Sequence, residues 1–272
     1  MIKDITIGQY FPGNSVLHRL DSRMKLVLTL MLIVAVFLCR GFYSLGLVFI
    51  LTLLLVLLSR VPVKTVAKSV RPIVFIVIFT AVLNVFYTSG GSWTYQFWIF
   101  KISEKGVMMA VFMAVRIVCL VVISSLLTYT TTPTALTDAM ERLMSPLTVL
   151  KIDVNTLAMM MTLALRFIPT LIEEIDRIMS AQKARGADWE SGSLVSRAKA
   201  LIPVLIPLFV SSFRRAYELA FAMECRCYTG GKGRTRMKQM KIRFSDIAAL
   251  IFVCLIIAAI VLMDLFLSKV LL

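Results

Sequence analysis

The 272-residue sequence contains one histidine, His18, and 15 acidic residues against 30 lysines and arginines. That supply is too thin and too scattered for common membrane enzymology. A buried hydrolase needs clustered carboxylates around a metal, or a nucleophile beside a base. The five cysteines (Cys39, Cys119, Cys225, Cys227, Cys254) form an odd set. Three of them lie inside apolar runs, and the spacing fits neither a disulfide framework nor a four-ligand zinc site, so Cys225 and Cys227 read as reduced cytosolic thiols. A phosphate-binding loop is missing as well. Gly230-Gly231-Lys232-Gly233-Arg234 has neither the required spacing nor the hydroxyl after lysine. No catalytic residue, metal site or cofactor is therefore assigned.

Long polar stretches are also few. Hydrophobic residues make up 59% of the chain and mean hydropathy is +0.89. Apolar runs of roughly 15 to 23 residues recur, about what a bilayer crossing requires. Alternating ten-residue strands are not visible, and lipid forbids unpaired backbone, which leaves helices. The fold class is an all-α integral membrane protein with about five transmembrane helices. A net charge of +15 on a soluble chain would point to nucleic acid. Here it reads as cationic loops held on the cytoplasmic side against anionic headgroups of the lipid bilayer, with no nucleic-acid partner.

The N-terminal 25 residues are polar, with a turn at Pro12-Gly13 and no cleavage signal after the following apolar run, so the segment is expected to be retained. Apolar runs at 26–39 and 43–58 are split by Arg40-Gly41-Phe42. One helix through both would be about 50 Å long, far beyond a ~30 Å hydrocarbon core, so two short spans are expected. Further spans are expected at 73–88, 106–128 and 247–267. Trp93, Tyr95 and Trp98 suit an interfacial loop between the third and fourth. Lys3, Arg19, Arg23 and Lys25 precede the first span, and Arg60, Lys64, Lys68 and Arg71 follow the second. The opposite loops carry only Arg40, Lys101 and Lys105, with Lys269 at the far end. The cation bias predicts a multi-pass cell-membrane protein with a cytoplasmic N-terminus and an extracytoplasmic C-terminus. The domain division is 1–128, 129–245 and 246–272.

The segment 129–245 carries the functional information. Pro133 suits the first turn of a helix over about 133–150. Two longer helices are expected at 154–185, stopped by Gly186, and at 194–226, which Pro203 and Pro207 should kink or break. Residues 154–172 are apolar enough for a sixth span. However, Met161, Leu165, Ile168, Ile172, Ile175 and Met179 keep one apolar face running through the charged Glu173–Arg177 region, which favours a long amphipathic helix outside the core. The two long helices end alike, at an offset of 41 residues. Ala184-Arg185-Gly186 lies over Cys225-Arg226-Cys227. Small neighbours allow close approach, and arginine offers a rigid fork of donors. A cation followed by glycine is also an ordinary helix stop, so either end alone says little.

At these residues the chain resembles the transmembrane coupling subunit of energy-coupling factor transporters, the EcfT family. That family carries Ala-Arg-Gly motifs at the ends of two cytoplasmic coupling helices. Ala184-Arg185-Gly186 matches the first in full. Cys225-Arg226-Cys227 keeps only the arginine of the second. The run from Tyr10 to Lys25 is similar to the family's segment before its first span, with Ser22 where proline is common. Its form is closer to the shared vitamin-transporter type than to the cobalt- or nickel-dedicated type. The resemblance implies that Arg185 and Arg226 sit in grooves of two ABC-type ATPase subunits. The chain would also hold a substrate-capturing S-type membrane subunit, with ATP hydrolysis in the partners driving uptake of a vitamin or similar micronutrient. Two other readings stand beside it. An autonomous channel or carrier would call for inverted repeats, which are not found. A membrane-embedded enzyme meets the deficits above.

Among single residues, Arg116 falls near the middle of the fourth span without an acid at its depth. Asn84, Ser124, Ser125 or backbone carbonyls are its expected partners. His18 is expected to have a surface or packing role rather than one in proton chemistry. Glu173 and Arg177 form an i, i+4 surface pair. Met159, Met160 and Met161 suit either a sliding interface or ordinary packing.

Overall fold

A computed structural model describes residues 10–88, 94–97, 100–146, 153–187, 193–230 and 242–270. Trp93, Trp98, and residues 231–234 of the glycine-rich stretch lie outside them. In chain order, the helices are α1 (Val16–Arg19), α2 (Ser22–Leu38), α3 (Phe42–Ser59), α4 (Val63–Val70), α5 (Val74–Tyr87), α6 (Glu104–Thr130), α7 (Pro133–Met144), α8 (Val154–Ala184), α9 (Leu194–Cys225) and α10 (Phe244–Val270). A short 3-10 turn, Arg71–Ile73, joins α4 to α5. The described residues also contain one small hairpin, β1 (Thr94–Phe97) with β2 (Phe100–Ser103), pairing Thr94 with Ser103 and Phe97 with Phe100. The protein is an all-α membrane protein with this one short β insertion.

Among the described residues, six helical stretches have the length and composition to cross a membrane: Phe42–Ser59, Val63–Tyr87, Glu104–Thr130, Val154–Ala184, Lys199–Cys225 and Phe244–Phe266. Four of these contain spans expected from the sequence. The first expected span is α2, whose 17 residues rise about 26 Å, just under the hydrocarbon thickness. The remaining two are α8 and α9. Lipid-facing surface is plain on α5 and α10, where Phe75 and Phe266 are each 77% exposed. Water would penalise so large an apolar face, whereas lipid would not.

Described residues 10–139 and 242–270 form one compact unit. Its core joins α2, α3, α6 and α10 through Leu28, Leu32, Val36, Val48, Ile123 and Ile260. A second cluster, Val61, Val66, Val122, Leu126 and Tyr129, ties α4 to the end of α6. Polar clamps close both ends of this unit. At one end the fully buried Asp246 accepts from the backbone N–H of Asp21 at 3.0 Å and of Arg243 at 2.7 Å. Asp21 in turn caps α2 by accepting from Arg23 N–H. Lys25 Nζ donates to the carbonyls of His18 and Thr130, and Phe11 N–H donates to Tyr129 O. At the other end Asp264 accepts from Arg40 and Gly41 N–H at 2.9 and 3.2 Å, satisfying donors where α3 begins. Gly41 allows the close approach, because a Cβ there would meet Asp264 Oδ1 at 3.2 Å and push the carboxylate back by a few tenths of an ångström. Asp246 and Asp264 stand about five turns apart, so α10 offers both from one face at a spacing of ~27 Å. One bilayer-spanning helix thus fixes both ends of α2.

Arg116 finds a backbone carbonyl for one of its donors, while its buried Nε is without a hydrogen-bond partner among the described residues. Its Nη2 donates to Cys39 O at the C-cap of α2, and its guanidinium lies 4.6 Å from the centre of the Phe112 ring. A cation at the negative end of a helix also answers its dipole. Asn84 and Ser124 bond instead to carbonyls of their own helices, Thr80 O and Leu120 O. His18 packs, as expected: its ring is bonded to Ser15 Oγ and Phe11 O and stands edge-on to Tyr10.

Candidate functional site

Described residues 140–230 form the second compact unit, dominated by α8 and α9. Thr132 caps α7 just before it, accepting from Ala135 N–H, with Pro133 in the first turn. α7 stops at Met144, earlier than the expected 150; residues 147–150 lie outside the described set. α8 opens on Asp153, whose carboxylate accepts from Thr156 N–H and Oγ1. Along α8 the sequence-derived apolar face is half-buried at Leu165, Ile168, Ile172, Ile175 and Met179, while Met161 is exposed.

Polar contacts set the direction of α9 against α8. Met159 Sδ accepts from Tyr228 OH, Glu174 Oε1 from Ser211 Oγ, and Glu174 Oε2 from Arg215 Nη2 at 2.7 Å. Gln182 Nε2 donates to Pro203 O at 3.3 Å. One residue number rises as the other falls, so the helices run antiparallel. Glu173 and Arg177 form the expected i, i+4 pair at 4.0 Å, with both side chains largely solvated.

The sequence expectation that Pro203 and Pro207 kink or break the third helix needs correction on the break. α9 is a continuous helix from Leu194 to Cys225 with both prolines inside it. Pro207 lacks the N–H that would bond Pro203 O. Gln182 supplies a donor to that freed carbonyl. A neighbouring helix thereby satisfies the backbone group that a proline leaves open.

The two helix ends are built the same way in three dimensions. At the first, Gly186 N–H donates to Lys183 O and Ala187 N–H to Gln182 O. At the second, Cys227 N–H donates to Glu224 O and Tyr228 N–H to Met223 O. Both are Schellman caps, which need a left-handed residue after the helix. Gly186 has φ +87° and Cys227 has φ +54°. The sequence departure at Cys227 therefore changes the side chain but not the backbone conformation. Ala184, Arg185, Gly186, Cys225, Arg226 and Cys227 are all exposed. Neither the Arg185 nor the Arg226 guanidinium has a hydrogen-bond or ion-pair partner among the described residues.

Because α8 and α9 are antiparallel, these ends do not lie side by side. Gln182 is level with Pro203, near the start of α9, while Tyr228, beyond its end, is level with Met159. The arginines therefore sit at opposite extremities of the pair, about 40 Å apart along its axis if the rods are straight. Such an arrangement presents two separate, similarly built arginine-bearing ends. The cap geometry and the separation were the parts of the site that sequence reasoning missed. Only the 41-residue offset pointed towards them.

Comparisons with known proteins place the chain among transport components. The model of the CbiQ family, described as cobalt transport protein, matches residues 13–239. The energy-coupling factor transporter transmembrane protein EcfT of Ruminiclostridium cellulolyticum is 51% identical over 248 residues, covering 91% of this chain and 92% of that protein. The protein of the same name from Clostridium kluyveri is 50% identical over 260 residues, covering 94% of this chain and 96% of its own length. The Bacillus subtilis protein of that name is 46% identical over 240 residues, with 88% and 91% covered.

Proposed function

The chain belongs to the CbiQ family and is a membrane transport component of the energy-coupling factor type, and from that premise we propose that it is the subunit that transmits force. It catalyses nothing itself. Arg185 and Arg226 each dock into a groove of one of two ABC-type ATPase subunits. ATP binding and hydrolysis there move α8 and α9. That motion releases a vitamin or similar micronutrient from an S-type membrane subunit held by this chain. α8 and α9 lie outside the bilayer core on the cytoplasmic side, the N-terminus is cytoplasmic, and the C-terminus is extracytoplasmic.

The observation that carries this reading is the pair of matched caps, each presenting a free arginine, at opposite extremities of an antiparallel pair. A single docking point would need one tip. Two equivalent tips ~40 Å apart suit two similar partners. An arginine just beyond a helix end, flanked by small residues, can enter a groove with its full fork of donors available. A lone carrier has no use for two such ends in the cytosol.

A photo-crosslinking residue at Lys183 or at Glu224, the equivalent positions of the two ends, tests the proposal in cells expressing the whole transporter. Each site should capture an ATPase subunit, and capture should require the adjacent arginine. Crosslinks to lipid alone from either position would refute it.

A further inference from the structure

Two cavities in the α1–α6 and α10 unit adjoin, and their chemistry differs. The first is an apolar slot of about 190 Å³ between α2, α3, α6 and α10, lined by Leu28, Leu32, Leu51, Leu54 and Phe252 among others. The second, of about 560 Å³, is mixed in character, with Asn14, Ser15, Arg19 and Arg60 lining it beside Leu57. Val16 and Leu58 line both. They are 60% and 39% exposed, so neither side chain is buried as a wall between the two slots.

We propose that these joined slots bind one anionic phospholipid, with an acyl chain in the apolar slot and the phosphate between Arg19 and Arg60. Charge complementarity selects this occupant. Neither guanidinium has a partner among the described residues, and both flank a cavity that adjoins hydrocarbon-lined space. Lys25, at the wall of the apolar slot, is already committed to the carbonyls of His18 and Thr130. The headgroup cations are therefore the two arginines. Arg60 is also held at φ +55°, a left-handed conformation that favours glycine. It closes α3 by donating its N–H to Leu57 O. That φ is the usual left-handed close of a helix, and it leaves the Arg60 side chain at the cavity mouth. The position suits a bilayer lipid, because α1 and the end of α3 stand where the first two spans meet the interface.

The test uses the full-length chain in detergent, with native mass spectrometry of retained lipid. Phosphatidylglycerol and phosphatidylcholine of identical acyl chains are the probes. One phosphatidylglycerol should be retained in roughly 10- to 30-fold preference, given two cations near one anionic headgroup. R19Q/R60Q should abolish that preference without lowering the thermal midpoint. Leu54→Trp, on an exposed slot residue, should reduce retention of both lipids. Glycerol phosphate alone should not displace the bound lipid. Equal retention of the two lipids by the unaltered chain would overturn the proposal without recourse to any variant. So would an unchanged preference in R19Q/R60Q. Lipid present on the isolated chain but expelled from the assembled transporter would assign the slot to a protein partner, and would overturn it too.

Discussion

Exchanging the residues at the two left-handed caps should move the two helix ends in opposite directions. Cys227 occupies φ +54° and Gly186 φ +87°. A left-handed conformation costs a residue with a Cβ about 1–2 kcal/mol, and glycine almost nothing. Cys227→Gly removes that cost, although the freer unfolded chain takes part of the gain back, leaving a net gain of about 0.5–1 kcal/mol. Gly186→Ala does the reverse. Nothing lies within 4 Å of the added Cβ, so the loss comes from the backbone alone and, after the same unfolded-chain compensation, should be about 0.5–1 kcal/mol. Hydrogen exchange reads both ends directly, because Tyr228 N–H bonds to Met223 O and Ala187 N–H to Gln182 O only while each cap is closed. Protection of Tyr228 should rise about 2- to 5-fold in Cys227→Gly, and that of Ala187 should fall about 2- to 5-fold in Gly186→Ala. Unchanged protection at Ala187, or faster exchange at Tyr228, would refute the claim that the two ends share one cap.

Asp246→Ala should lower the thermal midpoint by several degrees, since it strips two buried backbone donors of a charged acceptor at a cost of about 3 kcal/mol. Asp246→Asn, which keeps one acceptor, should lose less. Arg116→Met should cost about 1–2 kcal/mol through the orphaned Cys39 carbonyl, while uptake per folded complex stays unchanged. Lost uptake in a fully stable protein would assign Arg116 a transport role. Glu174→Gln should loosen α9 from α8 and speed amide exchange near Ser211, whereas the solvated Glu173→Gln should not.

The spans were legible in the sequence because lipid demands long apolar helices, and composition records that demand directly. The ends of α8 and α9 were legible for a similar reason, since a cation and a small residue mark a helix stop. What was not legible is long-range. Asp246 and Asp264 are ordinary acids in the sequence, and only folding brings them to backbone donors more than two hundred residues away. Proline rules pointed to interruption at Pro203 and Pro207, but the donor that rescues the helix sits on α8. Cys227 looked like a departure from its counterpart because residue identity does not report φ. The hairpin at β1 and β2 is too short to show a period of its own. The antiparallel pairing, which separates the arginines, required contacts that no local pattern contains.

The central claim is that Arg185 and Arg226 each hold an ATPase. The most direct measurement is co-purification of the whole transporter carrying R185E, R226E or both, with ATP hydrolysis and uptake measured on the same preparations. Each single variant should weaken retention of ATPase subunits, and the double variant should lose them together with ATP-driven uptake, while the chain remains folded in the membrane. Intact complex and normal uptake in the folded double variant would contradict the account.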